Sequence, residues 1–324
     1  MTVNTIQENG YREKMEGLVE PELAAIRKAQ RITTNGQQVA CDVYLPENAR
    51  GIVLLLHGFT ESAEKFREMT WVFLQEGYGV FAPDHVGHGR SGRLVQDSSL
   101  VHIDRFMHYA EDMENLIREL IVPVLHGRPL MLYGHSMGGA VAACLLIRNP
   151  GMFARAILTS PMIAPSSPIP LWVGRALSKW MERRGKGNRM AFVGKAYSKE
   201  NDTFEASCDT SRARFDYYWK KRADTVAYQT NGPSYTWVRE AIDLRRFFLD
   251  AQNAGKITTP FLLCQAGQDT IVSQSDQNRF VALTRCGNLV RFERAKHEIY
   301  MSEDETQRLY LSVVKAYLGQ PFDR

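Results

Sequence analysis

The chain of 324 residues carries a net charge of +4 at pH 7, with 44% hydrophobic and 10% aromatic residues. This is material for a sizeable globular core, and α/β chains of this length run as one core with an insertion. So modest a charge gives no footprint for nucleic acid, and no apolar run approaches the roughly 18 residues that span a bilayer.

The five cysteines, Cys41, Cys144, Cys208, Cys264 and Cys286, are odd in number and form no Cys-x-x-Cys pair. Neither a zinc site nor a disulfide framework is expected. The first ten residues have no basic start and no apolar stretch, so a cytoplasmic protein is expected, with peripheral membrane contact left open.

Residues 1 to about 30 read as a polar helical lead-in, best over 21–30. Segments 31–34 and 38–44 flank Asn35-Gly36, a tight-hairpin signal. Gly51 to Leu56 is continuously apolar, a strand buried on both faces, and runs into His57-Gly58-Phe59. A helix over 65–75 and a strand over 79–83 follow, the latter ending in the loop Asp84 to Gly92. Phe106, Ala110, Met113, Ile117 and Leu120 make one helical stripe. An apolar strand, Leu130 to Tyr133, then enters Gly134-His135-Ser136-Met137-Gly138, and an apolar helix leaves it. After a strand at 156–161 the alternation breaks, with prolines at 161, 165, 168 and 170. Strands return at 261–266 and 288–292. Ser302 to Glu305 reads as a capping box for a last helix with apolar positions Leu309, Val313 and Tyr317. Strand alternating with helix predicts a right-handed, doubly wound, mostly parallel α/β sheet. Residues 1–160 and 236–324 form its core, and 161–235 form an inserted helical lid.

Gly-x-Ser-x-Gly on a strand-to-helix turn forces Ser136 into strained backbone angles and leaves no room for side chains at Gly134 and Gly138. The helix starting there aims its N-terminal N–H groups at a developing oxyanion. A nucleophilic serine needs a base and an orienting acid, which on such a sheet follow it as acid, then histidine. His297 is the only histidine beyond residue 135. Asp269 lies on the loop after strand 261–266, at the carboxyl end where open sheets bind ligands. Asp276 falls in the next helix, and Glu298 adjoins the base and points elsewhere. The oxyanion donors expected are the backbone N–H groups of Met137 and Phe59. His57 reads as stabilising its turn, and His85, His88 and His135 as structural hydrogen-bonders. Asp84, His85 and His88 lack the helical i, i+4 spacing of a zinc protease.

Between 175 and 222 thirteen basic side chains face six acidic ones. That stretch is either a solvated surface or an attraction for anionic head groups or bilayers. Tyr217, Tyr218, Trp219, Tyr228, Tyr235 and Trp237 beside it line an acyl channel or simply pack the lid.

Taken together, His57-Gly58, the Asp84–Ser91 loop, Gly134 to Gly139, Asp269 and His297 resemble the monoglyceride lipase and lysophospholipase branch of the α/β-hydrolases, over nearly all the chain beyond residue 30. The stretches 84–94, 102–109 and 232–240 look closer to its bacterial lysophospholipases. The resemblance implies a Ser136, Asp269, His297 triad with Phe59 and Met137 as oxyanion donors, and no metal or cofactor. The function expected is hydrolysis of a lysophospholipid ester through an acyl-enzyme, with monoacylglycerol or another small ester as the alternative substrate. A non-catalytic binding protein or an amide- or carbon–carbon-cleaving enzyme of the same fold is a further alternative.

Overall fold

The computed structural model describes residues 5–320. Residues 1–4, part of the stretch read as lacking a targeting signal, and 321–324, the end of the expected core, lie outside them. Chain order starts with a hairpin: β1 (Arg27–Thr34) and β2 (Gln37–Tyr44) pair antiparallel across Asn35 and Gly36, whose φ of 48° and 73° suit a two-residue turn. The helical lead-in ends at Ile26, not residue 30, and the strand starts at Arg27. Arg27 to Arg31 are exposed on the sheet edge, so no apolar alternation marks them in the sequence.

The next five strands are buried along their whole length: β3 (Gly51–Leu56), β4 (Tyr78–Pro83), β5 (Leu130–His135), β6 (Arg155–Thr159) and β7 (Phe261–Ala266). β8 (Gly287–Phe292) closes the far edge, giving eight strands in the order β1-β2-β4-β3-β5-β6-β7-β8. From β4 to β8 all pairings are parallel, and β2 runs antiparallel to β1 and β4. The chain steps from β3 outward to β4, then crosses back to lay β5 on the other side of β3. That reversal makes the carboxyl ends of β3 and β5 the topological switch point, where a crevice forms.

Among the described residues the longer helices are α1 (Arg67–Gln75), α2 (Met107–Leu116), α3 (Ser136–Arg148), α4 (Leu171–Arg183), α5 (Arg212–Asp224), α6 (Tyr235–Phe248), α7 (Gln274–Leu283) and α8 (Asp304–Gly319). One face of the sheet, with Leu54, Leu56 and Leu132, packs on α2, α3, α6 and α7. The other, with Val53, Leu55 and Met131, packs on α1, α8 and the N-terminal helical turns.

α8 differs from the sequence reading. Ser302 does not cap it: its hydroxyl is buried without a hydrogen-bond partner, and Glu303 holds the cap position and accepts a hydrogen bond from Thr306 Oγ1. The buried stripe is Tyr310, Leu311, Val314, Tyr317 and Leu318, while Leu309 is exposed. Both stripes have helical spacing. The Tyr310 hydroxyl, 2.8 Å from that of Tyr133 on β5, fixes which one faces the sheet.

Between β6 and α6 lie the prolines, α4, α5 and short helical turns. α4 is tied to α6 by Arg175–Asp243 and Glu182–Arg239 ion pairs. No helix among the described residues is long and apolar enough to cross a membrane.

Candidate active site

Ser136 is the first residue of α3, directly after β5, and its φ is 52°. The left-handed region costs a non-glycine residue on the order of 1–3 kcal/mol and persists only where packing enforces it. Here packing does. A Cβ on Gly138 would meet the carbonyl oxygens of Leu56 and His57 at 2.3 and 2.4 Å, and one on Gly134 would meet the Gly138 carbonyl oxygen at 2.5 Å. Strand β3, the elbow and α3 therefore touch backbone to backbone, and the serine is the side chain lifted clear of that contact.

His297 comes from the loop after β8 and Asp269 from the loop after β7. His297 Nε2 lies 2.8 Å from Ser136 Oγ, and its Nδ1 lies 2.7 Å from Asp269 Oδ2. A carboxylate only accepts, so Nδ1 carries the hydrogen and Nε2 offers its lone pair to the serine hydroxyl. The other carboxylate oxygen, Asp269 Oδ1, accepts the N–H groups of Ile271 and Val272 at 2.8 and 3.1 Å. Burial raises the Asp269 carboxyl, but the His297 contact and these two backbone donors outweigh it and hold the group below its usual range. Ser136 and His297 are each 6% exposed.

Met137 is the second residue of α3, where helical N–H groups have no intrahelical acceptor. Phe59 sits at the carboxyl end of β3 across the switch point, and its ring lies 4.2 Å from that of Trp237. The turn carrying Phe59 is held by Glu61, whose Oε2 accepts the Gly58 N–H at 2.6 Å and whose Oε1 accepts the Tyr300 hydroxyl at 2.6 Å.

The competing acids are engaged elsewhere. Asp276 takes both ends of Arg245 at 2.9 and 3.0 Å, and Glu298 pairs with Lys65. His57 donates from Nδ1 to the Gly58 carbonyl and accepts the His85 N–H at Nε2. Asp84 accepts from the Ala63 N–H and from the N–H and Nε of Arg90. His57, His85 and His88 are all held below the usual histidine range by burial, so they stay neutral. The metal-compatible grouping found among the described residues is a different one, Glu61, His135 and Glu298. There the Lys65 ammonium already stands between the two carboxylates, 3.2 Å from Glu61.

Of the aromatics expected near the site, Tyr217 packs against Tyr11 and donates to Glu20, while Tyr218 and Trp219 line a cavity beside Glu61. Glu61 and Lys65 escaped the sequence reading. The available signal was an acid three residues beyond the Gly58 turn, placed to accept its N–H.

A family model described as serine aminopeptidase, S33, matches residues 47–305. The chain belongs to this family. Among the relatives of this S33 hydrolase, lysophospholipase L2 of Escherichia coli is 30% identical over 276 residues, covering 83% of this chain and 80% of that one. Monoacylglycerol lipase of Mycolicibacterium smegmatis is 32% identical over 150 residues, 44% of this chain and 51% of that one. In structure the S33 chain resembles a soluble variant of monoglyceride lipase from Saccharomyces cerevisiae, with a TM-score of 0.72 and 17% identity over 90% of this chain and 94% of the other. The sheet described above is the α/β-hydrolase fold, and the enzyme is a serine hydrolase.

Proposed function

We propose that this S33 hydrolase is a lysophospholipase that cleaves the carboxylic ester through an acyl-enzyme. The hydrogen-bonded chain Ser136, His297, Asp269 carries the reading. His297 Nε2 takes the Ser136 proton as Oγ attacks the ester carbonyl, and the Phe59 and Met137 N–H groups donate hydrogen bonds to the oxyanion. Each such donor contributes about 3 kcal/mol to the transition state. The imidazolium then returns its proton to the departing glycerol oxygen, leaving the acyl group on Ser136. Water, deprotonated by the same histidine, releases the fatty acid.

The lysophospholipid is favoured by the likeness to lysophospholipase L2 over most of both chains. The likeness to a monoacylglycerol lipase over part of the chain supports monoacylglycerol as the second substrate. Residues 161–235 act as the lid. The lid's positive charge is partly spent inward, on Arg214–Glu68 and Lys221–Glu64 pairs. What faces outward is α4 and the loop after it: Trp172, Trp180 and Phe192 are 72%, 48% and 47% exposed, and Lys179, Arg183 and Lys186 are exposed among them. Aromatics beside cations suit the interface of an anionic bilayer, so the enzyme docks there from the cytoplasm.

The test is a panel of acyl lipids with wild type and Ser136→Ala. Turnover of lysophospholipid by wild type and none by the folded variant is expected; a variant retaining more than a trace of activity overturns the role of Ser136. Sedimentation with phosphatidylglycerol vesicles, lost at high salt, tests the docking.

A further inference from the structure

Ser136 and Asp269 stand just past the carboxyl ends of β5 and β7, and β6 lies between those two strands. The chain that leaves β6 touches both. Register pairs His135 with Thr159, so Ser136 and Ser160 leave the sheet side by side, and both are left-handed, at φ 52° and 42°. Backbone strain of this kind persists only where surrounding contacts over-determine it.

Those contacts run along residues 160–166. Ser160 N–H donates to the Cys264 carbonyl of β7 at 2.8 Å, and Met162 N–H donates to the carbonyl of Ser136 itself at 2.9 Å. Pro161 packs on the first turn of α3, where a Cβ on Gly139 would come within 2.8 Å of the Pro161 Cβ. The Pro161 carbonyl accepts the Ile163 N–H at 2.8 Å and the Gln277 side-chain amide of α7 at 3.0 Å. At the far end Pro165 bridges antiparallel to Val272. There Ser166 N–H donates to the Ile271 carbonyl at 2.8 Å, and Ser273 N–H to the Ala164 carbonyl at 3.0 Å. Ile271 and Val272 are the two residues whose N–H groups hold Asp269 Oδ1. One short run of chain is therefore bonded to the nucleophile's backbone at one end and to the acid's own clamp at the other. Met162, Ile163 and Ala164 within it are buried, whereas Ser166, Ser167 and Pro168 are exposed.

We propose that residues 160–166 are a positioning strap that sets the separation of Ser136 from Asp269, and that any movement of the insertion hinges beyond Ser166. The inference rests on the Ser136, His297, Asp269 reading above. His297 meets the serine at one ring nitrogen and the carboxylate at the other, so both hydrogen bonds survive only while those partners keep a fixed spacing. The four residues Met162 to Pro165 reach at most about 14 Å when fully extended, which limits how far the acid loop drifts from the elbow. A lid hinged at Pro161 would pull on the elbow whenever it opened. One hinged after Ser166 opens without disturbing the three side chains.

The test places one extra glycine either inside the strap, between Ala164 and Pro165, or beyond it, between Ser167 and Pro168. A third variant, Ser166→Pro, removes one strap hydrogen bond at an exposed position and keeps the chain length. The measurements are kcat and KM for a p-nitrophenyl ester per fluorophosphonate-labelled site, with melting temperature alongside. The inner glycine adds about 3.5 Å of reach, and near 1 Å of misplacement lowers rate about a hundredfold. It is expected to lower kcat at least that much while KM stays near its wild-type value. The outer glycine is expected to leave kcat unchanged, as exposed loops tolerate insertion. Ser166→Pro is expected to lower kcat about tenfold, the worth of one hydrogen bond, with KM and melting temperature nearly unchanged. A segment that only stabilised the fold would lower melting temperature and leave kcat per labelled site intact. Should the inner glycine prevent folding, Ser166→Pro decides alone. Folded strap variants with wild-type kcat, or an outer glycine as damaging as the inner one, overturn the strap and leave the triad standing. Wild type that a fluorophosphonate fails to label at Ser136 overturns the triad reading and the strap with it.

Discussion

The guanidinium of Arg214 on α5 is buried against the carboxylate of Glu68 on α1, Nε to Oε2 at 3.1 Å, although the two residues are 146 positions apart in the chain. The same guanidinium donates to the Ser302 carbonyl at 3.2 Å, and Tyr11 donates to Glu68 at 2.8 Å. α5 is thus clamped to α1, to the N-terminal segment and to the start of α8. Removing one member of a buried pair leaves an uncompensated charge, so Arg214→Met is expected to cost about 3–5 kcal/mol, read by urea unfolding. Arg214→Met with Glu68→Gln should cost clearly less than the two single changes added together; strict additivity would mean the pair is not coupled.

Gly138→Ala tests the elbow by sterics alone. The added methyl would sit 2.3 Å from the Leu56 carbonyl oxygen, a backbone atom that cannot swing aside. Forced overpacking of this kind costs about 1–3 kcal/mol. The shift also displaces Ser136 and Met137, and near 1 Å of misplacement lowers rate by about a hundredfold. Ester turnover that falls far more than melting temperature is the expected signature.

Asp269→Asn leaves the shape of the site nearly unchanged but removes the acceptor that holds the His297 hydrogen on Nδ1. With the wrong tautomer, Nε2 no longer accepts the Ser136 proton. A loss of about 10⁴ in kcat, with a normal fold by circular dichroism, is expected. A loss under tenfold would show that another group orients His297.

Asp112 on α2 accepts hydrogen bonds from Thr34 and Asn35 of the hairpin at 3.0 and 2.9 Å. Burial pushes its carboxyl up to about 6 in the folded protein. The folded state therefore keeps a proton that the unfolded chain gives up near pH 4, and stability falls as pH rises through that window. Asp112→Asn keeps the accepting oxygen without the charge. It is expected to stabilise by about 1–3 kcal/mol at pH 7, with the gain vanishing near pH 4. Melting curves at pH 4, 5.5 and 7 check the sign.

Much of the fold and the candidate site is legible along the chain because local constraints write them there. Asn35-Gly36 announces its turn by backbone angles that few residues adopt. The five buried strands announce themselves by predominantly apolar runs. Gly134 is small because a Cβ there would meet the Gly138 carbonyl four residues on, and His297 stands out because no other histidine follows Ser136. β1 was only half visible, since an exposed edge strand needs no apolar alternation.

The amino-acid sequence by itself thus determined the sheet, the elbow and the identity of the three side chains brought together there. Tertiary structure alone decided which face of α8 turns inward and which carboxylates pair with the cations of α5. It also decided that Glu61, Lys65, Asp209 and Glu298 would share one cavity. Periodicity and turn sterics act between near neighbours and leave a mark in the sequence. Charge pairing in a buried site acts between groups that only folding brings close, and no spacing along the chain records it.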